Sequence, residues 1–284
     1  MLQRLLLPVI LACLTPSLAA AQVQPAIAPP GVGMIDQSCP ETPQMPPRPL
    51  AEPGNVPAAD PKATAIYQAV GAYRQASDWA ALCRYKQENA ALPNGQRVRV
   101  VFMGDSITDN WKRYDPGFFT NGVLDRGISG QTSPQMLARF YQDVIALKPA
   151  IVHIMAGTND IAGNTGPNTP QDFRNTISAM VDLAQANGVK VILASIPPTA
   201  KFNWAPALQP APRVRELNAW LKSYAARRGA IYADYYSAMA TADGSPADGL
   251  TFDGVHPGTK GYTLMRGVAE KAIASAEKLP GKRK

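Results

Sequence analysis

Short runs of β-branched and apolar residues alternate along this chain with longer stretches whose apolar positions recur three and four apart. The runs are Val98 to Met103, Val123 to Asp125, Ile151 to Met155, Val189 to Ala194 and Ile231 to Ala233. Nearly continuous apolar runs of this kind predict strands buried on both faces. The intervening stretches predict helices from Ser133 to about Leu147, about Pro170 to Ala186, about Pro212 to Arg227, and one ending near Ala276. In the first of these, Met136, Leu137, Phe140, Val144 and Ile145 sit at helical spacing. Strand and helix alternating at this pitch predict an α/β fold, a central parallel sheet of about five strands covered on both faces.

The pattern ahead of the first strand is different. Residues 22–60 are rich in proline, alanine and glycine, as in Pro46-Pro47-Arg48-Pro49, and predict an extended arm. Asp60-Pro61 predicts a helix start, an N-cap followed by proline at the first helical position. A helical pattern then continues to about Leu92, with Gly71 and Ser77 as possible breaks, and Pro93-Asn94-Gly95 is a turn. The expected organisation is a signal peptide (1–21), the arm (22–60), a helical segment packed on the core (61–96), the α/β domain (97–277) and a basic tail (278–284).

The signal segment changes the reading of the rest. Arg4 supplies a positive start, Leu5 to Leu14 an apolar core, and Ala19-Ala20-Ala21 a small-residue cleavage site before Gln22. The apolar run is too short to span a bilayer. Cys13 follows Leu11-Ala12, which is a poor match for a lipoprotein site, so the expectation is an exported protein, periplasmic or secreted, without stable membrane insertion. Cleavage removes Cys13 and leaves Cys39 and Cys83, two cysteines in an oxidising compartment, which predicts one disulfide. No Cys/His cluster has zinc spacing, so no metal is expected. The formal net charge is +7, part of it in the tail residues Lys278, Lys282, Arg283 and Lys284. No basic stripe is interleaved with aromatics, so no nucleic-acid partner is expected.

The chemistry lies where strands end. The first strand runs into Gly104-Asp105-Ser106, and in open α/β sheets ligands bind beyond the C-terminal strand ends. A serine there is exposed yet fixed in place. A hydroxyl attacks only if a base accepts its proton, and histidine is the usual base. The chain has two histidines. His153 lies mid-strand and reads as a packed core residue. His256 follows Asp253-Gly254-Val255, so an acid stands three residues before it, placed to orient the imidazole. The Ser106 N–H, the Gly130 N–H and the Asn159 amide are candidate donors to an oxyanion.

These blocks resemble the GDSL, or SGNH, hydrolase superfamily: Gly104-Asp105-Ser106-Ile107, Gly127-Ile128-Ser129-Gly130-Gln131-Thr132, Gly157-Thr158-Asn159-Asp160 and Asp253-Gly254-Val255-His256-Pro257, spread over roughly Arg97 to Ala276. The resemblance implies a flavodoxin-like three-layer α/β/α sandwich, Ser106 as nucleophile, Asp253 and His256 completing a triad, and an oxyanion hole from Ser106, Gly130 and Asn159. It further implies hydrolysis of small-molecule or carbohydrate esters, often of short acyl groups, with no cofactor. Platelet-activating-factor acetylhydrolases and bacterial carbohydrate O-acetylesterases are the members it looks most like. Arg126 stands where the second block often has asparagine, which leaves substrate contacts near that block open.

Competing readings are weaker. Ser129 lacks the full G-x-S-x-G pattern and reads as a loop hydrogen-bonder. Asp105 and Asp160 read as acceptors for loop amides. A metal-dependent phosphatase lacks ligands. Gly163 to Pro170 reads as a mobile rim loop rather than a phosphate cradle, and Trp204 as either packing or a sugar-stacking platform. A lipase or lysophospholipase remains an alternative. A non-catalytic carbohydrate-binding protein on the same scaffold is a weaker one, because every block is complete.

Overall fold

The computed structural model describes residues 39, 49–58, 60–93 and 95–280. The expected signal peptide, Cys13, most of the arm and residues 281–284 of the tail lie outside them. By its internal contacts the chain divides into Met1–Ser38 and Cys39–Lys284, and all described residues belong to the second unit.

The elements in order are α1 (Pro61–Ser77), α2 (Lys86–Ala90), β1 (Val100–Gly104), α3 (Ser106–Tyr114), β2 (Val123–Gly127), α4 (Ser133–Asp143), β3 (Ile151–Met155), α5 (Thr158–Ala162), α6 (Pro170–Ala186), β4 (Lys190–Ala194), α7 (Pro210–Arg227), β5 (Ile231–Ala233), α8 (Tyr235–Met239) and α9 (Thr259–Glu277). All strand pairs are parallel, in the order β2-β1-β3-β4-β5. This is the flavodoxin-like doubly wound order, and its switch point lies between β1 and β3.

Alternation along each strand builds the three layers. Val101, Met103, Val152, Ile154, Val191 and Leu193 pack with α4, α6 and α7. Val100, Phe102, Ile151, Met155, Ile192 and Ala194 pack with α3, α8 and α9. The second face is aromatic: Phe102 meets Trp111 and Phe118 edge-on and stacks on His153 at 4.3 Å. His153 is fully buried and bonds the Tyr235 hydroxyl through Nε2 at 2.8 Å. Burial lowers its pKa to about 3, so it is neutral near pH 7 and is part of the core, as its position mid-strand predicted.

Three differences from the sequence reading have physical causes. Ser106, read from the sequence as lying beyond the strand end with no helix assigned to it, is the first residue of α3, because the Asp105 side chain caps the helix by accepting the Ile107 N–H at 2.9 Å. The helix from Pro61 runs through Gly71 and stops at Ser77, one of the two breaks the sequence offered, and helix resumes only in the short α2 rather than running on to Leu92. Beyond it, the Asp78 carboxylate accepts the Leu82 and Cys83 amides. The carbonyls of Trp79, Ala80 and Leu82 accept from the side chains of Gln135, Gln131 and Gln142. Tertiary hydrogen bonds replace the helical ladder there. Thirdly, residues 235–239 form α8 where no helix was expected, started by the Asp234 side chain on the Ser237 N–H at 2.9 Å.

Cys39 and Cys83 are joined in a disulfide with Cα atoms 5.6 Å apart. The end of the arm is docked as well. Ala51 N–H and C=O both bond the Tyr114 hydroxyl, and the Glu52 carboxylate accepts the Thr259 N–H and hydroxyl at the start of α9.

Candidate active site

Register aligns the ends of the central strands: Gly104 pairs with Gly127 on one side and Met155 on the other. The segments that follow β1, β2 and β3 therefore leave one edge of the sheet together. They carry Ser106, Gly130 and Asn159. Helix α3 descends tightly onto this edge; a Cβ on Gly127 would lie 2.1 Å from the Asp109 amide nitrogen, so only glycine fits.

Ser106 Oγ lies 2.8 Å from His256 Nε2, and His256 Nδ1 lies 2.7 Å from Asp253 Oδ2. The Asp253 carboxylate also accepts the amides of Val255 and His256, at 3.0 and 2.7 Å. One acid thus shapes the loop and holds the ring. Burial alone pushes the Asp253 carboxyl up, but the His256 bond and charge and the two amides outweigh it and hold the group below the usual carboxylate range. An ionised Asp253 places the proton on Nδ1 and leaves Nε2 free to accept from the Ser106 hydroxyl. Phe252 stacks on the imidazole at 5.7 Å, and the half-exposed Trp204 lies 6.3 Å from it.

The Ser106 N–H is in the first turn of α3, where amides lack an intrahelical acceptor. Gly130 (φ 83°) sits between two anchored neighbours. Ser129 donates its N–H and hydroxyl to Asp109 Oδ2, at 3.2 and 2.6 Å, which ties the loop to α3. The Gln131 carbonyl accepts Asn159 Nδ2 at 3.0 Å, which ties it to α5. Ser129 is therefore a loop hydrogen-bonder, as expected. Asp105 and Asp160 also match their readings: Asp160 accepts the Ser133 N–H and hydroxyl and the Asn168 amide. Burial raises the Asp105 carboxyl to about 6 and also raises that of Asp160.

Several supporting residues escaped the sequence reading. Arg139, fully buried, donates to the Gly104 carbonyl at 3.1 Å, Gln131 Oε1 at 2.6 Å and Asp143 at 3.1 Å. Tyr85 donates its hydroxyl to the Gly127 carbonyl. Arg126 is buried against the Tyr85 ring and Asn89 Oδ1, so its side chain holds the N-terminal segment. Polar side chains on amphipathic stretches carry no sign of which carbonyl they will meet. A cavity of about 460 Å³ lined by Ile161, Phe173, Leu208 and Pro210, among others, includes none of Ser106, Gly130, Asn159, Asp253 and His256. Among the described residues, no group of His, Cys, Asp and Glu is arranged to hold a metal ion.

Residues 102–264 match the model of the GDSL-like lipase/acylhydrolase family. A GDSL-like lipase of known structure from Bacteroides thetaiotaomicron is 45% identical, with a TM-score of 0.67, over 70% of this chain and 100% of that one. An acetylxylan esterase from Xylanibacter ruminicola is 27% identical over 217 residues, 64% of this chain and 44% of that protein. Another, from Geobacillus stearothermophilus, is 33% identical over 91 residues, 24% of this chain and 42% of that protein. The chain spans less than half the length of these two curated relatives.

Proposed function

This chain belongs to the GDSL-like lipase/acylhydrolase family, and from that premise we propose that it is an exported serine esterase releasing short acyl groups, acetyl above all, from carbohydrate esters. The observation that carries the catalytic reading is the unbroken line from Asp253 through His256 to Ser106, with contacts of 2.7 and 2.8 Å.

In the first half of the cycle, Ser106 Oγ attacks the ester carbonyl while His256 Nε2 takes its proton. The carbonyl oxygen becomes an oxyanion facing the Ser106 and Gly130 N–H groups and the Asn159 amide, donors fixed before the charge develops. The intermediate collapses, Nε2 protonates the leaving alcohol, and an acyl-serine remains. In the second half Nε2 takes a proton from water, the hydroxide attacks the acyl carbon, and the acid leaves as the proton returns to Ser106. Asp253 stabilises the imidazolium throughout.

The finer reading has its own supports. Acetylxylan esterases stand among the relatives. The half-exposed Trp204, tilted against Phe202 with ring centroids 5.0 Å apart and beside His256, offers a flat apolar face of the kind a sugar ring covers. The oxyanion loops come from the sheet's own strand ends, which suits a shallow acyl site. Export is supported by the residue pattern of the first 21 positions and by the disulfide.

Two measurements test this. Ser106→Ala should leave the fold intact and less than about a thousandth of wild-type kcat, since loss of a triad member costs on the order of 10⁴ or more; higher residual activity refutes the nucleophile. Across p-nitrophenyl esters, kcat/KM should fall from acetyl to octanoyl, each unaccommodated methylene costing roughly 1–3 kcal/mol. A steady rise instead would move the reading to a lipase or lysophospholipase.

A further inference from the structure

Asn159 is almost fully buried, and its side-chain amide has an accepting oxygen at one end and a donating NH₂ at the other. Only one orientation presents N–H to an oxyanion. The other would present a carbonyl oxygen and repel it. Three hydrogen bonds in series decide between them. Asn159 Nδ2 donates to the Gln131 carbonyl at 3.0 Å, Asn164 Nδ2 donates to Asn159 Oδ1 at 2.6 Å, and Trp204 Nε1 donates to Asn164 Oδ1 at 3.1 Å.

The two ends of this series admit no ambiguity. An indole N–H only donates, so Asn164 must turn its oxygen to Trp204 and its NH₂ to Asn159. A backbone carbonyl only accepts, so Asn159 must turn its NH₂ to Gln131. Both constraints demand the same orientation of Asn159. One of its two N–H bonds is held by Gln131, and the second is left for the substrate side.

Local backbone puts Asn164 in reach. Helix α5 ends at Gly163, whose φ of 70° lies in the left-handed region. The Asn164 N–H then returns to the Asn159 carbonyl at 3.1 Å and the Gly163 N–H to the Asp160 carbonyl at 3.2 Å. That pair is the Schellman closure, and it folds the residue after the glycine back over the residue three positions inside the helix end.

We infer that Asn164 is a positioning residue of this site: it locks the Asn159 amide with its N–H toward the developing oxyanion, its own orientation being set by the indole N–H of Trp204. The inference rests on the proposed role of Asn159 as an oxyanion donor. It also joins the rim that faces the leaving group to the hole that holds the carbonyl oxygen, through a single side chain.

The test is steady-state hydrolysis of p-nitrophenyl acetate by the full chain and the variants Asn159→Ala, Asn164→Ala, Asn164→Asp and the double alanine variant, with thermal melts alongside. Asn164→Ala should lower kcat by about tenfold, part of the roughly 10²–10³ lost with an oxyanion donor itself, with KM within about twofold and an unchanged melt. Asn164→Asp should lower kcat further, because it turns a second acceptor toward Asn159 Oδ1. The double variant should be no slower than Asn159→Ala, since a positioning residue has nothing left to position. Unchanged kcat in both Asn164 variants, or a full additive loss in the double variant, overturns the inference while leaving the esterase reading standing. Wild-type kcat in Asn159→Ala would instead remove the donor assignment, and this inference with it.

Discussion

The two halves of the site are held in different ways. Asp253 to His256 is a self-contained turn: one carboxylate takes two amides and a ring nitrogen within three positions. The side proposed to hold the oxyanion is assembled from a distance. Gly127 is tied to Tyr85, Gln131 to Ala80 and Asn159, and Ser129 to Asp109, over separations of 42, 51, 28 and 20 residues. Tyr85 and Ala80 lie outside residues 102–264, the stretch that matches the family. A local turn draws its bonds mainly from neighbouring residues, whereas a distant support works only after the sheet has formed. The proposed base is therefore less dependent on changes elsewhere in the chain, and the proposed oxyanion loop depends on the disulfide-linked segment beside it.

The largest break comes from the local half. Asp253→Asn should preserve the turn, because an amide oxygen still accepts the two N–H groups, yet lower kcat by on the order of 10⁴ by favouring the wrong tautomer. Stopped assays with p-nitrophenyl acetate measure this, and a loss below tenfold would mean that Asp253 only shapes the loop.

A smaller effect is expected from the distant half. Gln131→Leu removes the bonds to the Ala80 carbonyl and Arg139 while keeping the backbone carbonyl that meets Asn159. It should lower kcat about tenfold, less than loss of a donor itself, with KM nearly unchanged. An effect on KM alone would place this loop in substrate binding.

The two halves also differ in pH behaviour. Burial raises the Asp125 carboxyl, on the strand leading to Gly127, to about 7. Its folded value exceeds its unfolded one, so its contribution is fully present below about pH 4 and is lost as pH rises through about 7. Asp253, held low, contributes in the opposite sense, its share being lost as pH falls below the ordinary carboxylate range. Asp125→Asn keeps an oxygen for the Gly127 N–H, bonded at 2.7 Å, and removes the titration. It should flatten the fall in Tm between pH 5 and pH 8 by roughly 2–4 °C, the value of about 1 kcal/mol in a chain of this size. An unchanged slope would locate the titration elsewhere.

The smallest expected effect is at the arm. Glu52→Ala removes a carboxylate from the start of α9, just beyond His256. It should cost about 1 kcal/mol of stability, as other lost caps do, and leave kcat within about twofold because the triad turn holds itself. A large kcat loss in a folded variant would show that the His256 loop is not self-contained after all.

Much of this was legible in residue patterns. The strand runs, the parallel sheet and the convergence of Ser106, Gly130 and Asn159 follow from periodicity and from where loops leave such a sheet. The Asp253–His256 pair was readable because its geometry is local. Its contact with Ser106, 150 positions away, followed only from placing both at one sheet edge. Trp204 shows the limit: its residue type left stacking and packing open, and the fold makes it both an exposed face and the donor that orients Asn164.

Local physical chemistry thus determined the elements, their hydrophobic faces, the helix cap at Asp105 and the acid–histidine turn, since each depends on residues a few positions apart. Tertiary structure alone decided what replaces the helical ladder beyond Ser77, which carbonyls the glutamines of α4 and its approach would find, why Arg126 is buried against the N-terminal segment, and which way the Asn159 amide points. Those outcomes depend on partners brought together by packing. A polar side chain on an amphipathic stretch records that a hydrogen bond is available, and only the folded chain supplies the group at the other end.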